Sequence, residues 1–252
     1  MQISANILGV KINAIDMRDA LQTIEGWIKR GESQYVCVTP IHAVMDCYLE
    51  PSLKKIFNAS GMTTPDGMGI VWLLRLLGFR RTARVYGPDL MLAVCEFGLD
   101  KGWRHYFYGS TKAVSKNLIG QLQAKFPGLI IAGQYAPPFR PLAEDEKELV
   151  AAEIDQARPN VIWVGLSTPK QERWMGEFVN RLNPAVLVGV GAAFDFLSGS
   201  KPQAPRWVQR SGLEWLFRLV TEPKRLWRRY IKYPLFLILI IAQRLGLRSY
   251  DL

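Results

Sequence analysis

Apolar residues along this chain follow two rhythms. Short β-branched runs such as "YVCV" (35–38), "VIWV" (161–164) and "VLVGV" (186–190) read as buried strands, and between them apolar residues recur every three to four positions, as in amphipathic helices. Strands are expected near Tyr35–Val38, His105–Tyr108, Leu129–Ala132, Val161–Val164 and Val186–Val190. Helices are expected near Met17–Lys29, Asp89–Lys101, Lys112–Phe126, Glu144–Ala157 and Pro169–Leu182, with Asp16 and Thr168 as candidate caps. Such alternation predicts an α/β fold with a doubly wound, mostly parallel, Rossmann-like sheet. At Pro202 and Pro205 the alternation stops and a helical, Arg/Trp-rich segment begins. An α/β core over residues 1–200 and a helical C-terminal appendage over 201–252 are therefore expected.

Charge sharpens that division. Residues 201–252 hold eleven Lys/Arg against Glu214, Glu222 and Asp251, so eight of the chain's ten net positive charges lie in its last fifth. Arg225, Arg228, Arg229 and Lys232 recur at i, i+3, i+4 and i+7, one cationic stripe on a helix beginning near Pro223. The apolar run that follows, Pro234 to Ala242, is nine residues. As a helix it covers roughly 14 Å, against a hydrocarbon core of about 30 Å. It cannot span a bilayer, but three or four of its Leu/Ile/Phe side chains inserted at the interface contribute roughly 5–10 kcal/mol before ordering costs. Basic neighbours on an anionic leaflet add about 1 kcal/mol each. A peripheral membrane helix is expected, with Trp227, Tyr230 and Tyr233 at the headgroup level; the core or a second subunit of a homo-oligomer is the other surface that could cover the run. No secretory signal opens the chain, and Cys37, Cys47 and Cys95 have no metal-ligand spacing, which places the protein in the cytoplasm with these thiols in its core.

Ligands of open α/β sheets bind beyond the carboxyl ends of the strands. Five segments at such ends carry suggestive chemistry: "VTPIH" (38–42), "TPDGMG" (64–69), "RVYGPDL" (84–90), "VGLSTPKQERWM" (164–175) and "GVGAAFDFLSG" (189–199). Taken singly, each has a plain structural reading. Asp66 could cap the next helix, Arg84 could pair with Asp89, and Gln171 could lie on an exposed helix face. Arg218 could pair with Glu214 one turn away, and His42 and His105 read as isolated structural histidines. "GVGAAF" lacks the third glycine of a dinucleotide fingerprint, and no ribose-binding acid follows, so a nicotinamide or flavin cofactor is not expected.

In order, however, "TPDGMGIVW", "RVYGPDLM", "VGLSTPKQERWM", "VGVGAAFDFLSG" and "GLEWLFRLVTEPKRLWRRY" resemble the WecG/TagA/CpsF family of bacterial glycosyltransferases over roughly residues 35 to 232. The resemblance implies inverting transfer of a sugar from a UDP-sugar to a polyprenyl-diphosphate-linked sugar at the inner face of the plasma membrane, in cell-surface polysaccharide synthesis. It implies Thr39 as a member of the catalytic site and Arg218, Arg225 and Arg228 as diphosphate contacts. Arg84, Gln171, Gly191 and Asp195, in the same segments, are the other substrate-binding candidates. Two departures stand out: Ile41 and His42 occupy the place of an expected Asn, and Pro137-Pro138-Phe139 that of a Gly-Tyr-Phe element.

Elementary chemistry points the same way. Inverting transfer needs a carboxylate to take the acceptor's proton, and Asp66, in a tight turn after a strand, is the candidate base. The leaving diphosphate needs positive charge. No Asp-x-Asp metal motif follows a strand, and Glu144-Asp145-Glu146 reads as the first turn of a helix. Arginine forks then take the cation's role, without metal or cofactor. Two rival readings are a nucleic-acid-binding module using the basic tail and a non-catalytic membrane adaptor; the apolar run argues against the first and the strand-end polar residues against the second.

Overall fold

The computed structural model describes residues 3–252. In chain order the strands are β1 (Ser4–Ile7), β2 (Val10–Asn13), β3 (Gln34–Thr39), β4 (Met62–Pro65), β5 (Arg104–Gly109), β6 (Ile130–Tyr135), β7 (Val161–Gly165) and β8 (Val186–Gly189). The helices are α1 (Met17–Arg30), α2 (Ile41–Leu49), α3 (Pro51–Ala59), α4 (Met68–Leu76), α5 (Gly87–Gly98), α6 (Lys112–Lys125), α7 (Glu144–Ala157), α8 (Lys170–Phe178), α9 (Ala193–Leu197), α10 (Arg206–Arg210), α11 (Glu214–Thr221), α12 (Pro223–Tyr230) and α13 (Tyr233–Arg244). β1 and β2 form an antiparallel hairpin, and the other strands form one sheet in the order β4-β3-β8-β7-β5-β6. The pairings from β3 to β6 are parallel, as the alternating pattern predicts.

The chain divides into two compact units. One combines residues up to Met17 with Val38–Tyr86 and Gln203–Leu252; the other combines Arg18–Cys37 with Gly87–Pro202. The expected break near residue 200 is thus one crossing between units, and the segment after it belongs to a unit that also takes the N-terminal hairpin and residues 38–86.

The unit containing Gly87–Pro202 is the α/β layer that the sequence describes. β7 and β8 are apolar almost throughout and buried, as strands covered on both faces must be. α9 packs on α5 and α6, and α8 on β7 and β8. The rings of Tyr108, Trp174 and Phe178 stack in series, with centroids 4.1 and 4.3 Å apart. Gly109 has φ of 126°, and a Cβ there would come within 2.7 Å of the Gly165 backbone; the ends of β5 and β7 approach this closely because neither carries a side chain. His105 is structural, as expected: it accepts a hydrogen bond from Trp163 Nε1 at 3.2 Å, and burial pushes its pKa down to about 4. β6 runs on to Tyr135 through the polar Gly133-Gln134, and α8 stops at Phe178 with Pro169, not Thr168, at its cap position. The Thr168 hydroxyl donates instead to the Glu172 carboxylate at 3.0 Å.

The other unit is built from what the pattern did not disclose: the hairpin, β4, α2 and α3. Leu8 and Gly9 both have positive φ, which a two-residue turn of the right twist demands. β2 packs on β4, and the Asn13 side chain accepts from the Thr63 amide at 2.8 Å and from its hydroxyl at 3.1 Å. Leu226, Phe236 and Leu239 from the C-terminal helices are buried in this unit, and α13 packs on α2. Cys37, Cys47 and Cys95 are buried in the core.

Candidate functional site

The turn after β4 sets the surroundings of Asp66. Gly67, with φ of 80°, occupies the N-cap position of α4 and makes no side-chain cap, so Asp66 is not the helix cap that its neighbours suggest. Its backbone N–H donates to the Thr39 carbonyl at 3.3 Å, and its carboxylate meets Arg84, whose Nε and Nη2 each lie 3.3 Å from Oδ1. Arg84 does not turn to Asp89. Its Nη2 donates to Glu214 Oε2 at 2.6 Å, and its guanidinium lies 3.8 Å from the Tyr86 ring centroid. Two carboxylates thus share one arginine. Burial raises the Asp66 pKa above its ordinary value, with Arg84 opposing and Glu214 reinforcing the rise. Such a carboxylate holds a proton more readily than an exposed one, as a general base should.

Asp66 and Arg84 line a narrow cavity of about 70 Å³, together with Pro40, Ile41 and His42 at the start of α2, and Glu214, Trp215 and Arg218 of α11. Tyr230 and Tyr233 complete it, with ring centroids 5.1 Å apart and Trp215 within 5.8 and 6.0 Å of them. Gly212, with φ of 76°, sets the entry to α11: a Cβ there would sit 2.5 Å from the Trp72 ring. The structure thus brings Asp66, Arg84 and Arg218 together. Thr39 is fully buried beside them but does not line the cavity. Arg225 pairs with Glu222 at 2.7 Å, and Arg228 lies exposed over Trp227.

The tail's charge nevertheless converges here. Burial, then Arg229, Arg218, Lys232 and Arg225, hold the His42 imidazole well below its usual pKa, so it is neutral at neutral pH. Arg229 itself is held below the ordinary arginine value by burial and by Arg225 and Arg218. His42, Glu214 and the aromatic trio are cavity residues that sequence reasoning did not assign. Glu214 has one visible signal, its place in "GLEWLFRL", where the i,i+4 spacing predicts pairing with Arg218 and not with Arg84. Tyr230 and Tyr233, expected at a membrane surface, turn inward, whereas Trp227 remains exposed.

Replacing Glu214 with Gln removes a negative charge that raises Asp66 and leaves Arg84 to pair with Asp66 alone. Both changes favour ionised Asp66. The acid limb of the kcat/KM–pH profile is therefore expected to move to lower pH, checked by pH–rate measurement; a limb at unchanged pH would uncouple Glu214 from the base.

In the other unit a wider cavity of about 550 Å³ opens at the carboxyl ends of β5 and β7 and the loop after β8. Gly191 and Asp195 line it, with Ser110, Ser167, Arg173 and the Pro137–Leu142 loop. Asp195 pairs with Lys201 at 3.1 Å. Gln171 is buried beneath this surface; its Nε2 donates to Glu172 at 2.9 Å. Its Oε1 has no hydrogen-bond partner among the described residues and would lie 3.2 Å from a Cβ on Gly191. The volume and strand-end location suit a nucleotide-sized ligand. No group of three or more His, Cys, Asp or Glu is positioned to hold a metal among the described residues.

The sequence is similar to those of known proteins. The chain is 29% identical over 195 residues to an N-acetylglucosaminyldiphosphoundecaprenol N-acetyl-beta-D-mannosaminyltransferase of Bacillus subtilis (strain 168), covering 77% of this chain and 74% of that protein. It is 32% identical over 191 residues to the same-named protein of Bacillus spizizenii, covering 76% and 72%. A same-named Staphylococcus aureus protein is 23% identical over 225 residues, covering 88% and 87%. The family model described as Glycosyl transferase WecG/TagA/CpsF matches residues 5–250, and with that match the chain belongs to this family of glycosyltransferases.

Proposed function

We propose that this enzyme transfers a sugar, with inversion, from a UDP-sugar to a hydroxyl of a polyprenyl-diphosphate-linked sugar during cell-surface polysaccharide synthesis. The observation that carries the reading is the cavity in which a buried carboxylate of raised pKa, Asp66, stands with Arg84 and Arg218. Asp66 takes the acceptor proton, and the arginines stabilise diphosphate charge. The UDP moiety fits the wider strand-end cavity, where Ser110, Ser167 and Arg173 offer polar groups. The relatives' names specify a diphosphoundecaprenol-linked acceptor and a mannosaminyl group, which makes UDP-N-acetylmannosamine the first donor to test.

The test is acceptor-dependent UDP release by the full chain, with a panel of UDP-sugars and a short-chain prenyl-diphosphate-N-acetylglucosamine, and with the product's anomeric configuration read by NMR. Absence of acceptor-dependent release across the panel would overturn the reading. Turnover is also expected to survive EDTA, because arginines carry the positive charge; full loss restored by Mg²⁺ or Mn²⁺ would reassign that role to a metal.

No helix among the described residues is long and apolar enough to cross a membrane. α13 instead has two apolar faces. Phe236, Leu239 and Ile240 are buried in their own unit, whereas Leu237, Ile238 and Ile241 are 60%, 64% and 57% exposed. The outer face suits peripheral binding to the anionic inner leaflet, each inserted side chain contributing up to about 1.5–3 kcal/mol. The double change Ile238→Glu, Ile241→Glu is expected to release the protein from anionic liposomes while retaining soluble-acceptor turnover and thermal stability. Unchanged co-sedimentation would remove α13 as the anchor.

A further inference from the structure

His42 is the second residue of α2, and its side chain lines the arginine cavity. It is 8% exposed and forms no hydrogen bond, ion pair or ring contact with any described residue. Its ring nitrogens are not sealed within the protein and reach the open space of the cavity, where at least one N–H is available to a ligand. Arg218 lines the same cavity, and the field of three further cations reaches the ring. Arg218 comes from α11, Arg225 and Arg229 from α12, and Lys232 from the residue before α13. The amide end of nine-residue α2 adds further positive potential. Among the acids nearby, Asp66 and Glu214 are both engaged with Arg84, Asp46 one turn along α2 pairs with Lys232 at 2.7 Å, and Glu222 pairs with Arg225 at 2.7 Å. Arg218 and Arg229 add their charge beside Tyr230 and Tyr233, whose hydroxyls burial keeps neutral. A donor so surrounded is matched by a multiply charged oxyanion.

We propose that His42 is a diphosphate-contacting residue of this cavity, donating an imidazole N–H to a phosphate oxygen of the acceptor. The proposal rests on the reading of the cavity as the acceptor's diphosphate site. It has a consequence for protons. With the anion absent, burial and the surrounding cations keep the ring neutral. Two phosphate charges oppose that field, and a phosphate oxygen accepting from the ring favours its protonated form, which offers both N–H groups. Acceptor binding tightens as pH falls toward 6, the sign required when the complex binds more protons than its separated components.

Asp66 is a second group in the cavity able to take up a proton, so the test is made in full-length Asp66→Asn protein. The probe is a short-chain prenyl-diphosphate-N-acetylglucosamine, a diester whose two charges are constant over pH 6–8. Titration calorimetry without donor, at pH 6 and 8 and in two buffers of different ionisation enthalpy, reads affinity and proton uptake together. The parent is expected to bind more than about fivefold tighter at pH 6, with net uptake of part of one proton; one linked proton limits the gain to tenfold per pH unit. Adding His42→Gln, which keeps a donor but cannot titrate, is expected to leave pH 8 affinity within about threefold and abolish both the gain and the uptake. Adding His42→Leu is expected to cost about tenfold or more at both pH values. If the Leu variant does not fold, the Gln variant decides.

Gln and Leu variants that match the parent at both pH values would overturn the role of His42 while leaving the cavity's assignment standing. A Gln variant that tightens as much as the parent would place the proton elsewhere and also overturn the proposal. Failure of the parent to bind the probe, or binding unaffected by Arg218→Ala, would instead remove the diphosphate reading itself.

Discussion

Asp66→Asn is expected to lose about 10²–10⁴-fold in kcat, the usual range for removing a general base, while KM and UDP binding change little. The amide preserves shape and still offers a carbonyl oxygen to Arg84, so the turn that holds it between Thr39 and Gly67 should persist. What it cannot do is accept the acceptor's proton. The acid limb of the pH–rate profile should disappear with it. In the unaltered enzyme that limb should lie above the ordinary carboxylate range, because burial raises the Asp66 pKa and turnover needs the ionised form. Single-turnover assays on the variant, with circular dichroism to check folding, would decide the matter. A variant that keeps more than half of wild-type turnover would return Asp66 to the role of turn residue.

Arg218→Ala should be nearly as damaging, at about 10²–10³-fold in turnover. Its guanidinium lines the cavity with Asp66, whereas Arg228 lies exposed on α12. Arg228→Ala should therefore cost much less with a soluble acceptor, although the family resemblance groups the two residues. Arg218→Lys should recover activity only in part, since an ammonium does not reproduce a planar fork against a diphosphate. Steady-state kinetics on the three variants checks this; equal losses at Arg218 and Arg228 would mean that the outer helix closes on substrate. Point changes are the appropriate tool here. Truncation before Gly212 would remove Leu226, Phe236 and Leu239 from the buried interior of their unit, and loss of activity would then report unfolding.

What the sequence disclosed follows from burial. β7 and β8 are covered on both faces, so their residues are apolar without interruption and their ends could be placed closely. β4, "MTTP", is equally buried, but its threonines satisfy their hydroxyls on Asn13 and Val85, partners remote in sequence, so a strand is implied before Asp66 without an apolar run to mark its bounds. The hairpin turns on Leu8-Gly9, a pair without the Asn-Gly or Asp-Gly signal. The same reason divides the site. Asp66 was visible because a post-strand turn with Gly67 is local. The Arg84–Glu214 bond joins positions 130 residues apart, and no spacing rule reports it. Tyr230 and Tyr233 showed their amphipathic character in sequence, but which side of the helices would meet a wall of the cavity is a tertiary fact.

The division of the chain also sets an order of manufacture. The α/β unit draws on Arg18–Cys37 and Gly87–Pro202, so all its parts have been synthesised before Gln203 is added. The unit carrying Asp66 cannot close until much later. Asn6 donates its side-chain amide to the Tyr250 carbonyl, and Gln243 bonds with the backbone of Asn6 and Leu8, so the earliest hairpin waits for the last helix. Contacts of such sequence separation form slowly. On the ribosome, Asp66 and the arginines of its cavity should therefore come together last, giving the nascent chain its wider strand-end cavity before the narrow one.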